Sequence, residues 1–223
     1  MNEAFLQIAI DGPVASGKGA VSFGLAKKLG LLYINTGAMY RALALACIEH
    51  GISLKDESSV LSILSKHTIS FGDQNEILLD GKNVTERITY QDTAQGASDV
   101  GSLGGVRSRM VIAQQKLAEG KRVVMEGRDI ALRVLPNAQL KIYLTASVEE
   151  RARRRHADWL SKGIQKTYES TLEDTKIRDL QDMTRRVDPL QKVDGVWELD
   201  TTGMTLRQVI DTIVQELHTR GLL

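Results

Sequence analysis

The segment Gly12-Pro-Val-Ala-Ser-Gly17-Lys18-Gly19 constrains the fold of this chain more than any other part of its sequence. Its glycines let the backbone turn sharply, so that successive N–H groups can point at an anion while Lys18 supplies a positive charge. An apolar run, Phe5 to Ile10, precedes the segment, and apolar residues at helical spacing follow it from Lys18 to Leu29. A strand, a glycine-rich loop and a helix in this order predict a phosphate-binding loop at the start of an α/β fold.

The pattern of the remaining chain supports the same class of fold. A second apolar run, Leu31 to Ile34, is followed by a helix that we expect Thr36 to cap and that ends near Gly51. Further strands are predicted at Arg122–Met125, Leu140–Leu144 and Val196–Leu199. Further helices are predicted at Val106–Glu119, Val148–Ser161, Tyr168–Thr184 and Thr205–Leu217. We therefore expect an α/β fold of three layers around a five-stranded parallel sheet.

Residues 52–103 interrupt this alternation of strands and helices. Two short strands, His67–Phe71 and Glu76–Leu79, are separated by turn residues at 72–75, and a second turn follows at Asp80-Gly81. The segment is therefore predicted to be a hairpin-rich insertion in the parallel core. The predicted core then comprises residues 1–51 and 104–223, with a helical lid at about 150–190.

The composition limits the classes of partner. The formal net charge is only +1, which argues against a general nucleic-acid binder. The basic residues nevertheless form two local clusters, one at 151–155 and one at 178–186. Solvated helix faces would explain either cluster alone, but two clusters in a chain with a phosphate loop favour phosphate binding. Cys47 is the only cysteine, so no intrachain disulfide can form, and its apolar helix position predicts a core residue. With no signal sequence and no long apolar run, we expect a soluble cytoplasmic monomer that binds neither nucleic acid nor membrane.

The residue after Lys18 bears on metal binding. In the usual phosphate loop this position is Ser or Thr, whose hydroxyl ligates Mg²⁺. Here it is Gly19, followed by Ala20, so a metal must be held by nucleotide phosphates, water and other side chains. Glu126, directly after a predicted strand, is the nearest candidate carboxylate. The four histidines are scattered without ligand spacing, and we assign no metal site made by the protein alone.

Four segments together resemble a known family. The Gly12–Gly19 loop is similar to that of the nucleoside monophosphate kinases, which have Gly after the loop Lys. Asn35-Thr-Gly-Ala-Met-Tyr-Arg41 and Glu126-Gly-Arg-Asp129 resemble two segments of the bacterial cytidylate kinases. Arg178-Asp-x-x-Asp-x-x-Arg185-x-x-x-Pro-Leu190 resembles the lid segment of the same family. The spacing of the four holds over nearly the whole chain.

The resemblance implies transfer of the γ-phosphoryl group of ATP to CMP or dCMP, with Mg²⁺ accompanying ATP, and residues 52–103 then form a monophosphate-binding region. The residues that it implies for catalysis are Lys18, Arg41 and Arg128. The residues that it implies for ATP binding are Gly12, Pro13, Val14, Ala15, Ser16, Gly17, Lys18, Gly19, Ala20 and Arg154. The residues that it implies for CMP binding are Thr36, Arg41, Ser98, Arg107, Arg128, Asp129, Arg178, Asp182 and Arg185.

Two departures from the family pattern leave alternatives open. Ala20 replaces the usual Thr and removes a hydroxyl contact to phosphate, and Ala131-Leu132 replaces the usual Gly-Thr. One alternative is therefore a nucleotide-binding regulatory module of low activity. The other is a kinase for a different small acceptor, such as shikimate or another monophosphate. On structural grounds alone, Arg178 and Asp182 could also form a simple surface ion pair between helix positions four apart.

Overall fold

The computed structural model describes residues 6–72 and 75–223. They divide into two compact units. The first, here called the core unit, comprises Met1–Tyr33 and Gly120–Leu223, and the second unit comprises Ile34–Glu119. Residues 52–103, the predicted insertion, lie wholly inside the second unit.

The secondary structure alternates much as the sequence pattern predicts. The strands are β1 Gln7–Asp11, β2 Leu32–Asn35, β3 Ile69–Phe71, β4 Ile77–Leu79, β5 Lys82–Asn83, β6 Val123–Gly127, β7 Leu140–Thr145 and β8 Trp197–Asp200. The helices are α1 Lys18–Leu29, α2 Thr36–Glu49, α3 Glu57–Lys66, α4 Gln91–Gly101, α5 Gly104–Ala118, α6 Val148–Ser161, α7 Tyr168–Thr184 and α8 Leu206–Thr219. A π-helical turn covers Ile130–Val134, directly after β6.

The predicted five-stranded sheet is confirmed. Its strand order is β2-β6-β1-β7-β8, so that the strand preceding the phosphate loop is the central one. β1 pairs in parallel with β6 on one side and with β7 on the other. Ile8, Ala9 and Ile10 of β1 are completely buried, as expected for a parallel strand whose two faces are both covered.

The hydrophobic core of this unit forms where α1 and α8 pack beside the sheet. Leu25 of α1, Ile142 of β7 and Ile213 of α8 all have no exposed surface. Burial of each such side chain contributes about 1.5–3 kcal/mol to the free energy of unfolding. Gly24 lies close to Ile210, and a Cβ there would come within 2.3 Å of the Ile210 side chain. α1, the helix that follows the phosphate loop, is therefore held against α8 by close packing.

The second unit contains the helices α2 to α5 and a separate antiparallel sheet, β3-β4-β5. The predicted turn at Asp80-Gly81 is confirmed, with φ values of 50° and 78°, whereas Asp73 and Gln74 of the other predicted turn lie outside the described residues, as does Phe5. The two strands predicted for the hairpin-rich segment are present as β3 and β4, and the segment also contains the helices α3 and α4, which were not predicted. α4 packs closely on α2, and a Cβ on Gly96 would come within 2.9 Å of the Ala44 Cβ atom.

The start of α2 differs by one residue from the prediction. Asn35, not Thr36, is the N-cap: its backbone is extended, with φ −97° and ψ 97°, and its side chain accepts a hydrogen bond from the Ala38 N–H at 2.9 Å. Thr36 is already helical. Cys47, later in α2, is fully buried, which confirms the prediction of a core residue. No helix in the described ranges has the length and apolar character needed to cross a bilayer.

Candidate active site

The phosphate loop lies at the carboxyl end of β1, between the central strand and α1. Gly12 has φ 155°, and a Cβ at this position would come within 2.1 Å of the Leu144 carbonyl oxygen. Gly17 adopts φ 90° at the N-cap of α1. Both glycines are therefore required, Gly12 by the close approach of β7 and Gly17 by its left-handed backbone.

Lys18 is folded into this loop. Its side chain is nearly buried, and Nζ donates to the Pro13 carbonyl at 2.7 Å and to Ser16 Oγ at 3.2 Å. Burial and the neighbouring Arg128 guanidinium lower the pKa of Lys18 to about 7, while the Glu126 carboxylate opposes this shift. A cation held in so little solvent interacts strongly with any anion that enters the loop.

A buried ion pair supports the loop from the other side. Arg151 of α6 donates to Asp179 of α7 at 2.6 Å and to the Val14 carbonyl at 3.0 Å. Asp179 in turn accepts the Val14 N–H at 3.3 Å. Both polar groups of one loop residue are thus satisfied by α6 and α7. The sequence shows Arg151 only as one member of a basic cluster, and its role requires the fold to be seen.

Arg154, the predicted ATP-binding residue of α6, also lies against the loop. It donates to the Ser16 carbonyl at 3.4 Å and to the Thr201 carbonyl at 2.7 Å, and it is paired with Glu150 at 3.0 Å. One guanidinium nitrogen lies 3.7 Å from the position of a Cβ on Gly17. The structure therefore brings Arg154 together with the loop.

A carboxylate faces the end of the loop that lacks the usual hydroxyl. Glu126, at the end of β6, is buried, and its Oε1 accepts a hydrogen bond from the Tyr33 hydroxyl at 2.5 Å. The same oxygen lies 3.1 Å from the position of a Cβ on Gly19. Among the described residues, no group of three or more His, Cys, Asp or Glu side chains is arranged to hold a metal ion. A Mg²⁺ ion held mainly by phosphate oxygens and water, with one such carboxylate, fits this arrangement.

A charged cluster follows β6 and continues onto α7. Arg128 donates to Asp182 at 2.7 Å, and Arg178 lies 3.8 Å from the other oxygen of Asp182. Burial is the largest single effect and disfavours the charges of both members of this pair. Their mutual attraction, together with the other opposite charges nearby, outweighs burial, so the pKa of Arg128 is raised and that of Asp182 is lowered. The cluster therefore stays ionised.

Two further predicted residues extend this cluster. A guanidinium nitrogen of Arg185 lies 3.9 Å from Asp129, and Arg185 Nε donates to the Asp188 carbonyl at 2.6 Å. Asp129 is buried. The core unit thus brings together the predicted CMP-binding residues Arg128, Asp129, Arg178, Asp182 and Arg185.

Asp11 was not predicted from the sequence as a site residue, yet it lies at the centre of this arrangement. It is buried, and its two carboxylate oxygens accept the N–H groups of Ile130 and Ala131, each at 2.8 Å. Burial raises the pKa of Asp11 to about 6, although these two hydrogen bonds oppose the shift. The one signal in the sequence is an aspartate that closes an apolar strand directly before the glycine-rich loop.

The departure at Ala131-Leu132 lines a small cleft in the core unit, whose lining also includes Arg128 and Pro189. Ala131 is buried, whereas Leu132 is partly exposed. The altered residues thus border the charged cluster without contributing a hydroxyl to it.

The other four predicted CMP-binding residues lie on the second unit. Arg107 of α5 is buried, donates to the Gly101 carbonyl at 3.2 Å and lies over the Tyr40 ring at 5.8 Å. Ser98 Oγ, on α4, is buried and has no hydrogen-bond partner in the described ranges. The remaining two, Thr36 and Arg41, lie on the first two turns of α2.

The fold and the loop define a class of protein. A parallel sheet with a phosphate loop at the carboxyl end of its central strand is the architecture of the P-loop nucleotide-binding proteins. A solved structure of an uncharacterised protein from Eubacterium ventriosum has this fold, with a TM-score of 0.54 over 96% of this chain and 99% of the other, at 13% identity. So distant a likeness shows the fold alone.

The sequence comparisons identify the family within that class. Residues 8–219 match the family model described as cytidylate kinase. A cytidylate kinase of Caldanaerobacter subterraneus subsp. tengcongensis is 44% identical, over 97% of this chain and 97% of its own. A cytidylate kinase of Bacillus licheniformis is 42% identical, over 96% of each chain. The chain therefore belongs to the cytidylate kinase family.

Proposed function

We propose that this protein transfers the γ-phosphoryl group of ATP to CMP or dCMP. The observation that carries the proposal is the pairing, within one family fold, of a complete phosphate loop around Lys18 with a separate arginine cluster around Arg128. Two anionic substrates must approach each other in such a reaction, and this placement of cations on both sides offsets their repulsion. The alternatives of another small acceptor or a regulatory module are not favoured by the family match.

In this proposal the donor side is the phosphate loop. The backbone N–H groups of Gly12–Ala20 and the ammonium group of Lys18 bind the phosphates of ATP, and Arg154 supplies a second cation. Loss of the Thr hydroxyl at Ala20 removes one contact but leaves the backbone donor in place. Mg²⁺ neutralises phosphate charge when it is bound; in this chain Glu126 is the carboxylate placed to hold it or one of its waters.

The acceptor side comprises the residues that the family resemblance implies. Arg128 and Arg41 bind the phosphate of CMP, which is already an anionic nucleophile and needs no strong general base. Arg178 and Asp182 contact the ribose. Cytosine offers an amino donor and two acceptors, which suit Asp129 and the donors Ser98, Arg107 and Arg185. The Ser98 hydroxyl is buried and has no partner among the described residues, which supports this assignment, because such a group costs free energy until a ligand satisfies it.

A coupled assay of ADP formation, with ATP, Mg²⁺ and a panel of CMP, dCMP, UMP, AMP and shikimate, tests the activity. We expect CMP and dCMP to give the highest kcat/KM. No ADP above the ATPase background with any acceptor would overturn the proposal, whereas a preference for UMP or AMP would overturn only the assignment of the base-contacting residues.

The role of Arg128 has a sharper test. Arg128→Ala should lose phosphoryl transfer by roughly 10²–10³-fold in kcat while it still binds an ATP analogue. Arg207→Ala is the matched control, because Arg207 is exposed on α8 and makes only a loose ion pair at 3.7 Å. Transfer retained in Arg128→Ala would contradict the role given to this residue.

A further inference from the structure

Asp11 connects the strand that leads into the phosphate loop with the turn that carries Arg128 and Asp129. It is the last residue of β1, paired in register with Gly127 of β6 and Tyr143 of β7. The next residue, Gly12, has no room for a side chain because of the Leu144 carbonyl oxygen. The backbone that carries the Asp11 carboxylate is thus held on both sides and cannot shift without moving the loop.

The turn after β6 is fastened to Asp11 at two places. Gly127 is paired with it in the sheet, and the carboxylate then reaches past the next two residues to accept the N–H groups of Ile130 and Ala131, one on each oxygen. The two residues that lie between these anchors are Arg128 and Asp129. Their backbone is therefore spanned by a single side chain of the neighbouring strand.

The chemistry of the site calls for a carboxylate. Two N–H groups that point at different oxygens need two acceptors, and only Asp or Glu presents two acceptors on a terminal group without a donor. Burying that charge is unfavourable, and the neighbouring Asp129 adds to the cost, while Lys18 offsets part of it. A side chain needed only to fill space would be apolar here, as its neighbours Ile8 and Ile10 are.

We propose that Asp11 is a positioning residue: it couples the phosphate loop to the turn of Arg128 and Asp129, so that a nucleotide bound in the loop sets the geometry of the acceptor-side arginine. This inference rests on the proposed function for the role of Arg128. The coupling itself, from loop to turn, depends only on contacts within the core unit. Asp11 touches neither substrate in this account.

Asp11→Asn tests the proposal in the protein as it stands. The carboxamide keeps one acceptor but turns its NH₂ group toward the second N–H, so one end of the turn is released. We expect kcat with CMP to fall about 10–100-fold and KM for CMP to rise, because small misplacements of a charged group cost this much. Affinity for a non-hydrolysable ATP analogue should stay close to that of the parent protein.

Ile213→Val is the matched control, because Ile213 is a fully buried residue of α8 in the same core unit. It should lose thermal stability without a change in kcat or KM. If Asp11 were merely structural, Asp11→Asn would behave like Ile213→Val when both are assayed well below their Tm values. Wild-type kcat and KM for CMP in Asp11→Asn would overturn the proposal.

An NMR measurement on the unchanged protein covers the case in which Asp11→Asn does not fold. Addition of the ATP analogue with Mg²⁺ should shift the amide signals of Gly17 and Lys18 and also those of Ile130 and Ala131, while amides of α8 stay in place. Shifts confined to the amide signals of the phosphate loop would overturn the proposed coupling between the loop and the turn. A response at both places in a protein that does not phosphorylate CMP would leave the coupling standing and refute the proposed function instead.

Discussion

The two units of this protein differ in what they bury. The buried acidic and basic residues described in the core unit are Asp11, Lys18, Glu126, Asp129, Arg151, Asp179 and Asp182, whereas Arg107 is the one described in the second unit. Buried charges lower the free energy of unfolding unless they are paired or hydrogen-bonded. The core unit is therefore less stable than an apolar core would be, but it holds charged groups in fixed positions. The second unit instead relies on close packing, as at Gly96 between α2 and α4.

This difference matches a division of labour under the proposed function. Phosphoryl transfer is catalysed by fixed charges, which a buried network holds in place without reorganisation. Recognition of a neutral base needs few charges but close-fitting polar groups, such as the buried Ser98 hydroxyl and the Arg107 guanidinium over Tyr40. Changes at the phosphate loop of the core unit should therefore act mainly on kcat, and changes at Ser98 or Arg107 of the second unit mainly on KM for CMP.

The largest effect should come from Lys18→Ala in the core unit. Removal of the loop cation should lower kcat by roughly 10²–10³-fold, because transition-state charge on the transferred phosphoryl group loses a fixed partner. Steady-state kinetics at saturating ATP and CMP measure this loss. Because burial of the Lys18 charge is itself unfavourable, the Tm of the variant should not fall with the activity.

Lys28→Ala controls for general effects on α1. Lys28 is half exposed at the end of the same helix, where it pairs with Asp211 at 2.6 Å. It should keep full activity. If Lys18→Ala changed only KM for CMP and left kcat unchanged, the proposal that the phosphate loop acts mainly on kcat would be contradicted.

Arg107→Met in the second unit should have a smaller effect, and it should change KM instead of kcat. The variant should raise KM for CMP by about 10–100-fold, since hydrogen bonds to a charged group contribute about 1.5–3 kcal/mol. The KM for ATP should be unchanged. Initial rates with each substrate varied in turn separate the two constants.

Arg109→Met on the same helix is the control, because Arg109 is exposed. A loss in Arg107→Met that appeared equally in the KM for both substrates would indicate a general disturbance of the fold instead of a role in recognising CMP.

The sequence predicts the core unit better than the second unit, and the reason is physical. α6 was predicted at its observed bounds, Val148–Ser161, and the structure shows a local signal at its start, the capping Ser147 followed by acidic residues. α4 lacks such a signal: it contains two glycines and few apolar residues, its N-cap residue makes no capping hydrogen bond, and its packing depends on Gly96 meeting α2. Interactions between distant segments of this kind leave no local trace.

The same limit applies to the site. Lys18 could be predicted from its motif, because the motif itself is local. Asp11 could not, since its partners Ile130 and Ala131 lie 119 and 120 residues further along the chain. Arg151 and Asp179, which support the loop at Val14, are likewise brought together only by the packing of α6 on α7. The residues proposed to bind phosphate are thus visible in the sequence, whereas the residues that support them are not.

The smallest predicted effect is the uptake of a proton by the core unit when ATP binds. In the ligand-free protein the pKa of Lys18 is lowered to about 7 by burial and by Arg128, so the side chain is largely neutral at about pH 8. Bound phosphate is an opposite charge and raises that pKa, so Lys18 should take up close to one proton on binding at about pH 8 and almost none at about pH 6. Titration calorimetry of Mg²⁺–ATP in buffers of different ionisation enthalpy measures the number of protons taken up.

Lys18→Arg is the control, because arginine stays protonated throughout and the variant should bind Mg²⁺–ATP without this uptake. Among its described residues, the second unit buries an arginine and no lysine. CMP titrated alone should therefore show no comparable uptake at about pH 8, where its own phosphate is already ionised. Equal uptake with both nucleotides would mean that the titrating charge is not confined to the phosphate loop.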